Sequence, residues 1–279
     1  MLSFKNFLKE STTSKTVNVK TVDGIDLEGI YHPNGDTVLA HTHGTASFYG
    51  NEAFEPDLLK FAKSKNFGFL SFNNRGAHIF SESGGAAYEK FSDSPKDIDA
   101  WISFLKNQGV SKIILSGHSL GTEKIAYYAR NNPSKNVVAA LFLAPSDTIG
   151  NQLRYEKKIN KSFFDEANNL VNTNKPNQLL SDKKAHAGVL PMSAEAYLDF
   201  YLPNKPLQDA LPFRNKNIKK FNIPVFALIP NKDHYNITST KNYYDNLTSA
   251  GVKSIITDTD HDFNNFDTYN TLKTLIDIF

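Results

Sequence analysis

The sequence predicts a three-layer α/β sandwich whose sheet is mostly parallel and has one antiparallel edge. Two observations support this prediction: short apolar runs of strand length recur along the 279 residues, and amphipathic helical patterns separate them. Helices that connect parallel strands cross over right-handed and cover both faces of a sheet. With 40% hydrophobic residues, a chain of this length can also bury a large core.

The first two predicted strands form a hairpin. Residues 16–20 and 25–31 alternate apolar and polar side chains, and Asp23-Gly24 lies between them. An Asp-Gly pair between two alternating runs is typical of a hairpin with a two-residue turn. We therefore expect the sheet to begin with an antiparallel pair.

The later strands are predicted from nearly continuous apolar runs, which are typical of strands buried on both faces. They cover residues 37–42, 67–72, 112–117, 137–144, 223–230 and 253–258. Helical patterns lie between or after them, at residues 56–65, 95–107, 120–131, 238–249 and 265–278. The alternation indicates parallel strands joined by crossover helices.

One segment is longer than any crossover needs. Residues 147–218 are rich in Asn, Lys and Pro and contain two helical stretches, 161–172 and 193–201. The sequence contains no internal repeat and no flexible linker of Gly and Ser, so it does not indicate a second independent domain. We predict an α/β core of residues 1–146 and 219–279 with a cap, residues 147–218, inserted into it.

The amino-acid composition excludes several classes of function. Lys and Arg total 31 against 29 for Asp and Glu, which predicts no nucleic-acid or acidic-membrane partner. There is no cysteine, so disulfides and thiolate sites are excluded. The N-terminal stretch is interrupted by Lys5, Lys9 and Glu10, and no apolar run reaches membrane-spanning length. We expect a cytoplasmic protein whose chemistry comes from Ser, His and carboxylates; its oligomeric state is not predicted.

A candidate nucleophile lies in the pentapeptide Gly117-His118-Ser119-Leu120-Gly121. Glycines at its first and last positions let a strand turn sharply into a helix, which exposes the central serine at the carboxyl end of a sheet. The pentapeptide alone recurs by chance. Here an apolar strand precedes it and a helical pattern follows it, so we predict that Ser119 is the nucleophile of a strand-turn-helix elbow.

The serine hydroxyl needs a base that a third group orients. His261 follows the last predicted strand, in a loop that can reach the carboxyl edge of the sheet. Asp233 follows the strand before it and completes the chain order Ser, acid, His. We predict Ser119, Asp233 and His261 as catalytic residues. Asp147, after the strand at 137–144, is an alternative acid.

An oxyanion formed on attack needs two backbone N–H donors. The amide of Leu120, at the start of the helix after Ser119, is one candidate. Gly44 follows the first parallel strand and lets the loop turn back towards Ser119. The second predicted donor is therefore the amide of Thr45, with that of Ala46 as an alternative.

Aromatic residues are the predicted substrate-binding groups, because aromatic side chains on a lid often wall an apolar acyl or aryl pocket. Phe48 and Tyr49 follow the predicted oxyanion loop, and Phe164 and Tyr197 lie in the predicted cap. The alternative for the cap residues is that they form the core of the cap itself.

Together these motifs resemble the α/β-hydrolase superfamily. The resemblance covers nearly the whole chain apart from the cap and implies an eight-stranded, mostly parallel sheet. It also implies Ser-His-Asp chemistry on an ester, thioester, amide or related bond. Because an acyl-enzyme route needs only the elbow, a base, an acid and two amide donors, we expect no metal or other cofactor. The Arg-Gly pair in residues 72–78 and the run 88–105 are similar to a little-characterised, esterase- and lipase-like subgroup of serine hydrolases. An aspartate often stands there where this chain has Asn73 or Asn74.

The expected activity is hydrolysis of a carboxylic ester of small to medium size, acyl or aryl, through an acyl-enzyme. A peptidase, amidase or thioesterase using the same residues is the alternative, and lysines of the cap could hold a peptide terminus (Lys157, Lys158, Lys183 and Lys184). Two distant alternatives are a non-catalytic binding module and an amidohydrolase-type metal site at His41-x-His43. The metal site would require further ligands on the strands of a barrel.

Overall fold

The fold is described by a computed structural model that covers residues 14–82, 84–131 and 133–275. Its strands are β1 (Lys15–Lys20), β2 (Asp26–His32), β3 (Thr37–Thr42), β4 (Gly68–Phe72), β5 (Lys112–His118), β6 (Val137–Leu143), β7 (Val225–Pro230) and β8 (Lys253–Thr257). They form one eight-stranded sheet in the order β1-β2-β4-β3-β5-β6-β7-β8. Strand β2 is antiparallel to β1 and β4, and the other neighbouring pairs are parallel. The predicted fold class is confirmed.

The α-helices in this part of the chain are α1 (Glu55–Ser64), α2 (Ser94–Asn107), α3 (Leu120–Arg130), α4 (Thr148–Ile159), α5 (Phe164–Asn172), α6 (Ala194–Tyr201), α7 (Thr240–Ser249) and α8 (Thr268–Leu275). Among the described residues, none of these helices has the length and apolar character needed to cross a membrane. Residues 1–13 and the predicted end of the last helix, 276–278, lie outside the described residues.

The helices cover both faces of the sheet, as the buried strands require. Side chains alternate along each strand, so Val38 and Ala40 lie on one face while Leu39 between them lies on the other. The first face packs against α2, α3 and α7, and the second packs against α1 and α8. The carboxyl ends of the parallel strands, where their following loops begin, therefore meet at one edge between two helical layers.

The hairpin turn is longer than the predicted two residues. Lys20 pairs with Asp26, and the Thr21 N–H donates to the Ile25 carbonyl oxygen (2.9 Å), which leaves a three-residue loop. Gly24 takes φ +87° in that loop, a conformation that glycine adopts without a side-chain clash. The Asp-Gly signal located the turn, but the left-handed glycine ends a longer loop.

Arg75, in the loop after β4, ties this hairpin to the layer of helices. Its guanidinium donates to Asp97 on α2 (Nη2 to Oδ1, 2.8 Å) and to Asp23 in the hairpin loop (Nη1 to Oδ2, 3.0 Å). Asp97 is completely buried, and a planar guanidinium can bind two carboxylates through separate edges. The Arg-Gly loop noted in the sequence therefore has a structural role.

Residues between β6 and β7 contain α4, α5 and α6, one helix more than the sequence predicted. These helices bury a core of their own that includes Phe163 and Phe200 and packs against Leu120 of α3. Helix α4 escaped prediction because its buried residues are mostly polar or small, so only Ile149, Tyr155 and Ile159 mark its inner face as apolar. The predicted boundaries of the cap, 147 and 218, stay a prediction.

Candidate active site

Ser119 occupies a strained turn between β5 and α3. Its backbone has φ +51° and ψ −123°, and a positive φ is uncommon for any residue other than glycine. Neighbouring groups hold this conformation: the Ser119 N–H donates to the Leu143 carbonyl oxygen (3.0 Å), and the Ser119 carbonyl accepts from the Thr122 N–H (2.9 Å). The turn has the geometry of a strand-turn-helix elbow, with Ser119 at its apex.

Three glycines make room for this turn. A Cβ at Gly117 would lie 2.5 Å from the Gly121 carbonyl oxygen, and one at Gly121 would lie 2.7 Å from the His43 carbonyl oxygen. A Cβ at Gly44 would lie 3.0 Å from Cβ of Ser119. The loop after β3 therefore packs directly onto the elbow. A side chain at Gly44 or Gly121 would force the two apart, and one at Gly117 would clash with the first turn of α3.

His261 and Asp233 lie together at the same edge of the sheet. His261 Nδ1 is 2.7 Å from Asp233 Oδ2, and both side chains are buried. The other oxygen of Asp233 accepts from the Tyr235 N–H (2.8 Å), which fixes the carboxylate in its loop. His261 lines the same cavity as Ser119. The chain thus brings a hydroxyl, an imidazole and a carboxylate to one edge, each from a different loop.

Asp147 contacts a different partner. It precedes α4, where its Oδ1 accepts from the Gly150 N–H (2.9 Å) and from Arg214 Nε (2.8 Å). Its second oxygen pairs with Arg214 Nη2. Of the two candidate acids, Asp233 is therefore the one in contact with His261.

The predicted oxyanion donors flank Ser119. Leu120 is the first residue of α3, so its N–H is one of those in the first turn that have no acceptor within the helix. Thr45 lines the cavity with Ser119, and its N–H donates to no acceptor in residues 14–82, 84–131 and 133–275. Ala46, the alternative donor, also lines the cavity and has φ +55°. The Gly44 N–H is already bound by Glu52 Oε1 (3.0 Å).

A cavity of about 490 Å³ opens above Ser119. Much of its wall is polar, with side-chain amides and hydroxyls from Ser47, Asn51, Thr148, Asn151 and Asn264. The segment between β6 and β7 contributes further wall residues: Ser146, His186, Ala187 and Val189. A polar wall favours ligands that carry hydrogen-bonding groups.

The four aromatic residues predicted to bind substrate do not line this cavity. The Phe48 ring stacks on His78, and the Tyr49 N–H donates to Asn73 Oδ1 (2.8 Å). Phe164 is 43% exposed at the protein surface. Tyr197 is buried in the core formed by α4, α5 and α6, where its hydroxyl donates to Glu156 (2.6 Å).

A buried cluster that the sequence did not indicate lies beneath the cavity. Glu52 Oε1 is 2.8 Å from His118 Nδ1, and Glu52 Oε2 is 2.7 Å from His41 Nε2. Burial alone would raise the pKa of Glu52, but the charge and hydrogen bond of His118 hold it well below its usual range. Burial alone would lower the pKa of His118, whereas the Glu52 carboxylate raises it to about 9. The two side chains form a buried ion pair.

Glu55 completes the cluster as a neutral acid. Burial, together with the adjacent Glu52 charge, raises the pKa of Glu55 to about 8. Its oxygens accept from the Glu52 N–H (3.3 Å) and the Gly50 N–H (3.1 Å). Glu55 therefore carries a proton at pH 7 and adds no negative charge to that of Glu52.

The amidohydrolase-type metal site at His41-x-His43 would require a barrel, whereas this sheet is open, with β1 and β8 at its edges. The His43 ring contacts the Gly44 carbonyl oxygen and the Asn74 N–H. Donor atoms of His41, Glu52 and Glu55 do lie within 4.8 Å of one another. Each of them already has partners within the protein: His41 Nε2 is 2.7 Å from Glu52 Oε2, and the Glu55 oxygens accept from two backbone N–H groups.

His186 and Tyr235 also line the cavity, and the sequence predicted neither of them there. His186 Nδ1 is 2.7 Å from the Tyr201 hydroxyl, and burial lowers the pKa of His186 to about 3, so its ring is neutral. Tyr235 follows Asp233 in the loop after β7, and that adjacency was the one available signal. His186 lies in an irregular segment where no motif or periodicity marks it.

Comparisons with known proteins agree with this architecture. A family model described as "Protein of unknown function (DUF1749)", a family of α/β-hydrolase type, matches residues 73–209. No curated protein matches the chain. Among solved structures, the α/β hydrolase GrgF from Penicillium sp. sh18 is 17% identical, with a TM-score of 0.68 over 94% of this chain and 96% of that one.

Two further solved structures are similar to this chain: one is an esterase, and the other has ferulic acid bound. An esterase from Pyrococcus furiosus is 19% identical, with a TM-score of 0.59 over 94% of this chain and 86% of that one. Est1E from Butyrivibrio proteoclasticus, solved with ferulic acid bound, is 14% identical, with a TM-score of 0.65 over 92% of this chain and 94% of that one. The chain has the α/β-hydrolase fold, and the resemblance found in its motifs is confirmed at the level of the fold.

The buried ion pair predicts how stability depends on pH. Because the pKa of His118 is about 9 in the folded protein against 6.5 ordinarily, its stabilisation is complete below pH 6.5 and is lost as the pH rises through 9. We expect the free energy of unfolding, measured with urea, to fall over this range. In Glu52→Gln the free energy of unfolding should fall less over this pH range, because the pKa of His118 is no longer raised by the Glu52 carboxylate. The exposed variant Glu82→Gln should follow the wild type, and an equally steep fall in Glu52→Gln would contradict the prediction.

Proposed function

We propose that the protein is a serine hydrolase that cleaves a carboxylic ester through an acyl-enzyme. The observation that supports this most directly is the juxtaposition at one cavity of a strained Ser119 and a His261 that contacts Asp233 at 2.7 Å. A serine hydroxyl is a weak nucleophile at neutral pH, and an imidazole oriented by a carboxylate is the group that activates it. The esterase-like neighbours of the fold agree with this chemistry.

In the first half of the reaction, Ser119 Oγ attacks the ester carbonyl carbon while His261 Nε2 takes the hydroxyl proton. The carbonyl oxygen becomes an oxyanion, and the N–H groups of Leu120 and Thr45 are the proposed donors that stabilise it. Asp233 stabilises the imidazolium through the hydrogen bond to Nδ1. His261 then returns its proton to the leaving alcohol, which leaves the acyl group on Ser119.

In the second half, a water molecule gives a proton to His261 as its oxygen attacks the acyl carbon. The second oxyanion collapses, the Ser119–acyl bond breaks, and the proton passes from His261 to Ser119 Oγ. The products are a carboxylic acid and an alcohol. Each step uses only this chain's residues and water.

The proposed substrate is a small to medium molecule that carries polar groups. A cavity of about 490 Å³ accommodates a small or medium ester, and its amide and hydroxyl side chains offer hydrogen bonds. We keep both acyl and aryl esters within the proposal, although the aromatic wall expected from Phe48, Tyr49, Phe164 and Tyr197 lies elsewhere. The residues that reach the cavity from between β6 and β7, such as His186, support the cap as part of the binding site.

An amide or peptide substrate has less support. The four cap lysines that could hold a charged peptide terminus do not line the cavity (Lys157, Lys158, Lys183 and Lys184). Thioester hydrolysis uses the same groups and differs only in the leaving group. A cytoplasmic location and the absence of nucleic-acid and membrane partners stay predictions.

The reaction is tested with purified protein on p-nitrophenyl esters from acetate to palmitate and on matched aminoacyl-amides, with EDTA present throughout. We expect turnover of short-chain esters that survives EDTA. Ser119→Ala and His261→Ala should each lower kcat by about 10⁴-fold or more while the protein stays folded, because nucleophile and base act as one unit. Activity confined to amides, activity lost to EDTA, or a tenth of the wild-type rate in His261→Ala would contradict the proposal.

The acid is tested by comparing Asp233→Asn with Asp147→Asn. Asp233→Asn should lower kcat by about 10⁴-fold with little change in KM, because an amide does not stabilise the imidazolium. Asp147→Asn should leave kcat within about threefold but lower the free energy of unfolding by about 1–3 kcal/mol, because it weakens the Arg214 pair. The reverse pattern in kcat would assign the acid to Asp147.

A further inference from the structure

Glu52 connects two loops of the active site through one carboxylate oxygen. Its Oε1 accepts from the Gly44 N–H (3.0 Å), directly before the proposed donor Thr45, and from His118 Nδ1 (2.8 Å), directly before Ser119. The Glu52 side chain is buried at the floor of the cavity. One carboxylate therefore holds the loop after β3 against the elbow.

His118 extends this connection to the third loop. Its second ring nitrogen, Nε2, is 2.9 Å from the carbonyl oxygen of His261. A carbonyl oxygen can only accept, and Glu52 Oε1 is an acceptor as well, so both nitrogens of His118 must donate. The hydrogen bonds require His118 to be an imidazolium, and Glu52 is its counterion.

The surroundings of the pair strengthen these bonds. The Phe54 ring packs against His118 and Phe263, with centroids 5.1 and 5.4 Å apart respectively, and excludes water from one side. In an environment of low polarity, charged hydrogen bonds are stronger than in water, and losing one partner is correspondingly costly. The centroids of the His118 and His261 rings are 4.8 Å apart, so the two rings pack against each other.

We propose that Glu52 and His118 are positioning residues. They hold the oxyanion donor, the nucleophile and the base at the relative positions that the reaction at Ser119 requires. This inference rests on the proposed function. Neither residue exchanges a proton with substrate; Glu52 acts through the Gly44 amide, and His118 acts through the His261 carbonyl. The pair must be charged, because a neutral imidazole has one N–H and can make only one of the two hydrogen bonds.

Glu52→Gln removes the negative charge of this side chain and keeps its size and shape. A glutamine side chain still fits and can still accept from Gly44, but without the counterion His118 gives up a proton and one of its two bonds. We expect kcat for p-nitrophenyl acetate to fall by about 10- to 100-fold, because small displacements of reacting groups are costly, with KM within about threefold. The rate at which a fluorophosphonate modifies Ser119 should fall by a similar factor.

His118→Asn is the second variant. Its side-chain amide can replace Nδ1 towards Glu52 but is too short to reach the His261 carbonyl, so kcat should fall while KM stays close to wild type. The double variant should lose little more than the worse single variant, because both changes break one connected unit. If His118→Asn does not fold, Glu52→Gln carries the test.

Glu82→Gln is the matched control. It makes the same Glu-to-Gln change at an exposed position outside the buried cluster, so it leaves the Glu52–His118 pair untouched. We expect its kcat within about twofold of wild type. As a readout independent of activity, ¹⁵N NMR of the histidine side chains at pH 7 should show both His118 nitrogens protonated in the wild type and one in Glu52→Gln.

Three results would overturn the inference. Wild-type kcat in Glu52→Gln with only a lower melting temperature would assign Glu52 a purely structural role. A raised KM with unchanged kcat would make it a substrate-binding group, and a singly protonated His118 in the wild type would remove the ion pair. If wild-type protein neither turns over esters nor reacts with the fluorophosphonate, the proposed function itself fails, and this inference with it.

Discussion

Close backbone packing around Ser119 is the constraint on which the rest of the active site depends. A non-glycine residue is held at positive φ, and Gly44, Gly117 and Gly121 remove the side chains that would prevent neighbouring backbone from approaching. The strain is local, and buried strands and helices on both sides hold it in place. Because the loop after β3 rests on the elbow, backbone contacts and the buried Glu52 carboxylate together set the position of Thr45 relative to Ser119.

The pairing of buried carboxylates is the second constraint on the active site. Two carboxylates, Asp233 and Glu52, approach the His261 loop from different sides. Asp233 contacts the His261 ring, and Glu52 reaches the His261 backbone through His118. A buried carboxylate is costly unless it is paired and hydrogen-bonded, and both of these have such partners. Glu55 avoids that cost differently, because it keeps its proton.

The sequence was sufficient for the fold and for the position of the elbow, because both depend on local patterns. Apolar runs mark strands buried on both faces, and Gly-x-Ser-x-Gly between a strand and a helix marks the turn at Ser119. Asp233 and His261 followed from their places after late strands, since the carboxyl ends of parallel strands meet at one edge of a sheet. The structure brings these two residues together, and their roles stay part of the proposed function.

The features of the site that the sequence did not predict depend on contacts between segments that are far apart in the chain. Glu52 lies in a loop with no motif, and only its approach to Gly44 and His118 gives it significance. Tyr197 was expected at the substrate because it is aromatic, but the small helical core between β6 and β7 needs it for its own packing. His186 reaches the cavity from the same irregular segment. Composition could indicate that the segment buries aromatic residues, but not which of them face inward.

The most direct measurement is a crystal structure of the protein after reaction with diethyl p-nitrophenyl phosphate, whose tetrahedral phosphorus imitates the attacked carbonyl carbon. We expect phosphorus bonded to Ser119 Oγ and a phosphoryl oxygen about 3 Å from the amide nitrogens of Leu120 and Thr45, with His261 still in contact with Asp233. Phosphorus on another residue, or a phosphoryl oxygen directed away from those two amides, would contradict the assignment of Ser119 and its oxyanion donors.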